Sequence, residues 1–379
     1  MDALDGILVA DFSRVLAGPL AAMTLGDLGA DVVKVEPPGG DETRSWTPPV
    51  DEAGRSTYFL SVNRNKRSVA LDLKDESDRR LAVELTRRAD VVIENFRPGT
   101  MERFGLGYED VRSGNPKAVY CSITGFGRYA GSAMPGYDPL VQAVSGLMSV
   151  TGPVDGEPSK TGVALVDVIA GLNATVGILA ALRVREQTGE GQRVEVDLLS
   201  TALSALANQA SSFLNTGRSP RRMGNAHPSI EPFGTYAAGD GQLMICAGND
   251  SQFRSLARTL GAPQLADDER FLTNSDRVEN RLDLRPEIES RLGLDSVSYW
   301  SDALNAAGVP AGPVNDIGGG FRLASELGLE AVDEFEEIRS PASPLGLDAT
   351  PTQTRLPPPE LDQHGEAIRA WLAATAEDG

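Results

Sequence analysis

Asp167 is the acidic side chain whose position in the sequence has the most chemical promise. It follows a strand-like apolar run, residues 161–166, and precedes an apolar helix expected over residues 168–185. At such a junction, free backbone N–H groups and the helix macrodipole favour an anion. Two roles fit this position. The carboxylate can cap the helix, or, ionised at neutral pH from an ordinary pKa of about 3.9, it can serve a site at the helix start. His227 precedes Pro228 and so lies in an irregular loop, where a hydrogen-bonded structural ring is the default. With only His227 and His364 in the chain, a His-rich metal centre and an HExxH helix are both excluded. Cys121 and Cys246 lie far apart and form no CxxC pair, which excludes a disulfide framework and a thiolate zinc site and fits a reducing cytoplasm.

The elements that must position Asp167 read as a parallel α/β arrangement, since strands covered on both faces appear as continuous apolar runs. Residues 6–11, 30–36, 68–73, 90–94 and 118–123 read as strands, with helices expected over 20–28 and 77–89. This is a doubly wound, Rossmann-like pattern. No GxGxxG follows the first strand and no Walker lysine follows a glycine cluster, so NAD and ATP lack their phosphate-cradling loops. The texture changes after Leu199. Strand-like stretches 235–236 and 243–247, with helices near 251–260 and 282–291, indicate a smaller α+β domain, and a last amphipathic helix runs near 366–374. The expected layout is a large domain over 1–200, a linker over 201–224, the small domain over 225–316, a second linker over 317–359, and a return to the large domain over 360–379. The two connections near 211–224 and 317–359 read as unstructured.

The chain has 379 residues, enough for two or three domains. Its 41% hydrophobic and 23% charged content is that of a globular protein. A formal charge of -19 argues against nucleic acid or an anionic membrane as partner, so any polyanion must be gripped locally. The five lysines, Lys34, Lys66, Lys74, Lys117 and Lys160, all fall in the first half and mark where to look. The start, Met1 to Asp5, is acidic where a secretory signal would be basic, and a cytoplasmic protein is expected. The apolar stretch 163–182 is broken by Asp167 and Asn173, which favours a buried soluble helix over a membrane span.

Several short motifs occur in order: Val15-Leu16-Ala17-Gly18-Pro19, Lys34-Val35-Glu36, Asn65-Lys66-Arg67-Ser68, Glu94-Asn95-Phe96-Arg97-Pro98-Gly99, Pro135-Gly136-Tyr137-Asp138-Pro139 and Gly224-Asn225-Ala226-His227-Pro228. Jointly they resemble the class III CoA-transferases, a family that includes formyl-CoA and carnitine CoA-transferases and related α-methylacyl-CoA racemases. The resemblance implies an interlocked homodimer, with each chain contributing a Rossmann-like domain built from both its ends. It also implies that Asp167 is the nucleophile, and that Val15, Ala17, Leu71, Lys74, Asn95, Phe96 and Arg103 contact coenzyme A. Tyr137 and His227 would touch the substrate.

The implied reaction moves CoA from an acyl-CoA to a carboxylic acid through aspartyl anhydride and aspartyl-CoA thioester intermediates. Acyl-CoA is then substrate, and no cofactor is bound permanently. Two departures from the family's pattern bear on this. Pro37 and Pro38 follow Lys34-Val35-Glu36 where an Arg is common. Tyr137 stands where the racemases place a His, and a phenol of ordinary pKa about 10 is a poor base for α-proton exchange. Transfer is therefore preferred to racemisation, with a racemase and a non-catalytic acyl-CoA-binding protein as the rival readings. The region after His227 has no polyglycine loop like that of the formyl-CoA transferases, which points to a longer acyl group. Arg14, Arg44 and Arg128 are candidate clamps for a dicarboxylate.

Overall fold

The computed structural model describes residues 2–335 and 337–374; Met1, Glu336 and positions 375–379 of the expected return segment lie outside the described residues. The chain divides into two compact units. The first comprises the described residues of Met1–Leu147, Lys160–Arg218 and Leu329–Gly379, and the second comprises Met148–Ser159 and Ser219–Gly328.

In chain order the first part of the structure runs β1 (Leu8–Asp11), α1 (Ala17–Asp27), β2 (Asp31–Glu36), α2 (Thr57–Leu60), β3 (Lys66–Ala70), α3 (Glu76–Arg88), β4 (Val91–Glu94), α4 (Tyr108–Gly114), β5 (Val119–Thr124), α5 (Asp138–Val144), α6 (Leu147–Val150), α7 (Leu165–Thr188), β6 (Arg193–Asp197), α8 (Leu198–Ala205) and α9 (Ala207–Thr216). The six strands form one parallel sheet in the order β3-β2-β1-β4-β5-β6. Side chains alternate across it, so that Val9 and Val91 face one apolar layer while their neighbours Ala10 and Val92 face the other. The first layer is closed by α1 and α7 through Ala21, Leu25, Ala170, Ala174 and Ile178. The second is closed by α3 and by a final helix, α15 (Gly365–Ala373), whose Ile368 and Leu372 are fully buried. Both chain ends thus contribute to one core.

The second unit contains β7 (Phe233–Ala237), β8 (Gln242–Cys246), α10 (Asp250–Thr259), α11 (Asn274–Glu279), α12 (Arg281–Leu292), α13 (Val297–Ala306), β9 (Ala311–Pro313) and α14 (Ile317–Glu326). Its three strands are antiparallel, in the order β7-β8-β9. Its core includes Tyr236, Leu243, Phe253, Phe271 and Trp300. Arg277 is fully buried there. Its guanidinium donates to the carbonyls of Glu231 and Phe271 and to Asp250, and lies over the Phe253 ring.

Three expectations need correction. Residues 161–166 form no strand: 161–164 are irregular and Leu165 and Val166 open α7. A short apolar run before a helix has no period that separates a strand from the helix's own first turn. The stretch 211–224 is not wholly unstructured, because α9 extends through Thr216. Residues 317–359 carry α14, capped by Asp316, and a hairpin of β10 (Val332–Phe335) with β11 (Ile338–Pro341). The run Gly318-Gly319-Gly320 concealed that helix, since glycine costs about 1 kcal/mol per residue in a helix interior.

Helix α7 is long and apolar enough to cross a membrane by length and composition. It packs instead against α1, and Gly171 permits the close approach. A Cβ at Gly171 would lie 2.7 Å from the Ala17 carbonyl oxygen.

Candidate active site

In an open α/β sheet, ligands bind beyond the strand C-termini where the strand order reverses. Here the reversal lies between β1 and β4, and a cavity of about 150 Å³ opens there. Its walls are the loop after β1 (residues 14–17), the loop after β4 (95–98), the loop segments 124–127 and 131–137 after β5, and Asp167. A neighbouring cavity of about 320 Å³ is lined in part by Pro37, Leu71, Lys74 and Phe104, and it shares Arg14, Glu42 and Phe96 with the first.

Asp167 sits in the first turn of α7, three residues after the N-cap position Ala164, which has no side chain to offer as a cap. The cap comes from Asp138 at the start of α5. Its Oδ2 accepts the N–H groups of Val166 at 2.8 Å and Asp167 at 3.1 Å. The Asp167 side chain is therefore not the helix cap and is half-buried in the wall of the cavity. Burial, and next the nearby Asp138 carboxylate, push its pKa up to about 7.

The loop after β1 is held by charges beneath it. Val15 has φ of 70°, a left-handed backbone that is costly for a β-branched residue, so its surroundings must impose it. The Asp41 carboxylate faces the Val15 N–H at 3.3 Å and the Lys34 ammonium at 3.0 Å, and Lys34 also donates to the Ser13 carbonyl at 2.9 Å. Asn95 grips the adjoining residue from both sides, accepting the Arg14 N–H at 2.9 Å and donating to the Arg14 carbonyl at 2.7 Å. One layer deeper, the Lys66 ammonium donates to Asp11 at 3.0 Å, to the Pro19 carbonyl and to Asn63. Asp11, Lys34 and Lys66 are all fully buried. Burial opposes ionisation of Asp11, but the ammoniums of Lys66 and Lys34 hold its carboxyl below the usual range. The loops 124–127 and 131–137 meet at Gly125 and Gly136, where a Cβ on either would overlap the other's backbone.

The structure thus brings together Val15, Ala17, Asn95, Phe96, Tyr137 and Asp167 at the first cavity, and Leu71 and Lys74 at the second. Arg103 lines neither cavity and is exposed, its guanidinium 3.4 Å from the Thr100 hydroxyl. His227 belongs to the second unit, where its Nδ1 accepts the Ser229 N–H and its ring packs on Phe233. Among the cationic clamp candidates, Arg14 lines the first cavity. Arg44 is committed to a bidentate pair with Glu36, and Arg128 pairs with Glu195.

Sequence reasoning missed Asp138, Asp41 and Tyr58. The Tyr58 ring meets Trp46 edge-on at 4.9 Å, and its hydroxyl is pushed up to about 12 by burial and then by the carboxylates of Asp167, Asp138 and Asp41. The only signal for Asp138 was its place in the Gly-Tyr-Asp-Pro motif, since the groups it bonds lie 28 and 29 residues away.

Comparison with known proteins converges on one family. The sequence profile of CoA-transferase family III matches residues 4–365. The chain is 42% identical over 383 residues to a succinate–glutarate CoA-transferase of Agrobacterium fabrum, covering 97% of this chain and 95% of that protein. It is 40% identical over 374 residues to an acetyl-CoA:oxalate CoA-transferase of Acetobacter aceti, covering 98% and 96% of the two chains. The crystal structure of a CAIB/BAIF family protein from Brucella suis superposes with a TM-score of 0.90 at 42% identity, covering 98% of this chain and all of that one. The chain belongs to CoA-transferase family III and is a CoA-transferase.

Proposed function

We propose that the protein transfers CoA between dicarboxylic acids by covalent catalysis at Asp167. The observation that carries this reading is a half-buried carboxyl with raised pKa in the wall of a cavity at the strand-order reversal. Asp167 attacks the acyl-CoA carbonyl, the C–S bond breaks, and a mixed anhydride and CoA thiolate result. The thiolate then attacks the aspartyl carbonyl, forming an enzyme thioester and releasing the donor as its carboxylate. The acceptor carboxylate attacks that thioester and expels the thiolate, which attacks the acceptor's carbonyl in the new anhydride. Acceptor acyl-CoA leaves, and Asp167 is again a carboxylate. No proton is gained or lost over the cycle.

Two features support CoA as the group carried. The second cavity offers the apolar contact of Leu71 and Phe104 for the adenine and the Lys74 ammonium for phosphate. It shares the lining residues Arg14 and Phe96 with the Asp167 cavity, so the two lie side by side and a thioester arm that crosses those residues would reach from one to the other. The dicarboxylate class rests on the glutarate, succinate and oxalate in the names of the relatives, and on Arg14 and Arg97 in the cavity lining as partners for the distal carboxylate.

The test is incubation with glutaryl-, succinyl-, oxalyl- and acetyl-CoA, followed by hydroxylamine or borohydride trapping and mass spectrometry. Modification of the Asp167 peptide, faster with the dicarboxylic thioesters, is expected. Turnover through a ternary complex with an unmodified Asp167 would overturn the reading.

The homodimer is part of the same proposal. No residue of α9 is buried in the single chain, and Phe213 and Leu214 are 46% and 78% exposed. An amphipathic helix with nothing beneath it is unstable in water, and a second copy would cover it. Sedimentation is expected to give twice the chain mass, and Leu214→Glu is expected to shift the protein toward monomer by tenfold or more in the dimer dissociation constant.

A further inference from the structure

Asp138 is 3% exposed and sits in the first turn of α5, where its charge suits the helix dipole, but its hydrogen bonds go elsewhere. Oδ2 receives the two first-turn amides of α7, and Oδ1 receives the Gln142 side-chain N–H at 2.5 Å. Gln142 is itself fully buried, and its Oε1 accepts the Thr161 N–H at 2.9 Å, which ties down the irregular segment leading to Asp167. A neutral serine or asparagine could receive the same two amides, and burying an anion is costly. The carboxylate therefore calls for a reason beyond capping, and its neighbour supplies one. The group it crowds is a second carboxylate.

We propose that Asp138 is a positioning residue for CoA transfer: through two amides it fixes the main chain that presents Asp167, and its negative charge makes the resting Asp167 carboxylate a stronger nucleophile by a repulsion that acylation relieves. This deepens the reading of Asp167 as nucleophile and rests on it. When Asp167 attacks a thioester, the new C–O bond forms as the C–S bond breaks, and the negative charge leaves on the thiolate. The acylated aspartyl group is neutral, so the two-carboxylate clash is present before the attack and absent after it. That difference between states lowers the barrier.

Other charged or titratable groups also face Asp167. Arg14, Glu42, Arg97 and Tyr137 share its cavity, and Tyr58 of α2 lies within electrostatic range. Arg14 and Glu42 carry opposite charges 3.7 Å apart and largely offset each other at Asp167. Arg97 is exposed, and burial and then Asp138 set the direction of the Asp167 shift. Asp138 alone combines a fixed hydrogen-bonded geometry against the Asp167 backbone with a charge that raises the energy of the carboxylate.

The experiment is the pH profile of kcat/KM for Asp138→Asn, with Asp138→Ser as a second uncharged cap should the asparagine variant fail to fold. Circular dichroism and a thermal midpoint establish folding. The wild-type profile is expected to fall tenfold per pH unit below a midpoint near 7. In the variant that midpoint is expected to move down by roughly one unit, with kcat at pH 8 reduced about tenfold and KM for acyl-CoA within about twofold. A folded variant whose acid limb stays in place overturns the inference, because loss of a merely structural cap does not move that limb. Failure of the nucleophile reading is separately visible in the wild-type protein, where no adduct would form at Asp167.

Discussion

Asp167→Asn is expected to abolish CoA transfer, by roughly 10⁴-fold or more, while making the folded protein more stable at pH 8. The first effect follows from removing the atom that carries both the acyl group and the thiol. The second follows from linkage. Folding raises the Asp167 pKa from 3.8 to about 7, so at alkaline pH the native state holds an ionised carboxylate in a place that disfavours it. That penalty is absent below about pH 4, where both states are protonated. It grows as the pH rises toward 7 and is constant above. An uncharged isostere escapes it, and with partial solvent access the gain at pH 8 is about 1 to 3 kcal/mol. Urea unfolding of both proteins at pH 8 and pH 5 checks the sign: the asparagine variant should lead at pH 8, and the lead should shrink at pH 5. An equally stable variant that still turns over would remove Asp167 from the chemistry.

The second large effect is expected at Asp11→Ala, which lines no part of either cavity. It leaves the fully buried Lys66 ammonium without its anion and removes the attraction on Lys34. Breaking a buried pair by removing one partner costs about 3 to 5 kcal/mol. The loss should be read by urea unfolding at pH 7. Burial already pulls Lys66 down to about 8, and without Asp11 it falls further. The unfolded chain then holds more protons than the folded one, so the variant should regain stability as the pH rises from 7 to 9. Adding Lys66→Met should restore part of the loss, because the stranded charge is then gone. If Asp11→Ala unfolds at the wild-type urea midpoint, the buried pair does not hold the loop after β1 as described.

Some of this was legible in the sequence, for identifiable reasons. β1, β2, β4 and β5 are largely buried, so the valine-rich stretches of Leu8–Asp11, Asp31–Glu36, Val91–Glu94 and Val119–Thr124 stand out even with Lys34 and Ser122 among them. β6, at the sheet edge, mixes Arg193 and Glu195 with valines and left a weaker trace. Asp167 drew attention because an apolar helix begins beside it. Its surroundings did not, because they are long-range. Asp138 reaches it across 29 residues, Lys66 reaches Asp11 across 55, and nothing local in sequence records such pairings. Lys34 and Lys66, two of the five lysines that marked the first half, are internal counter-ions, whereas Lys74 is exposed at a cavity.

The location of α15 sets the order in which this protein can be completed during synthesis. One apolar layer of the parallel sheet is sealed by Ile368 and Leu372, whereas the second unit closes its core with residues no later than Val309. A nascent chain can therefore close the core of the second unit while the layer under α3 still lacks its last covering helix, and a chain cut before Gly365 should leave that layer partly open to water.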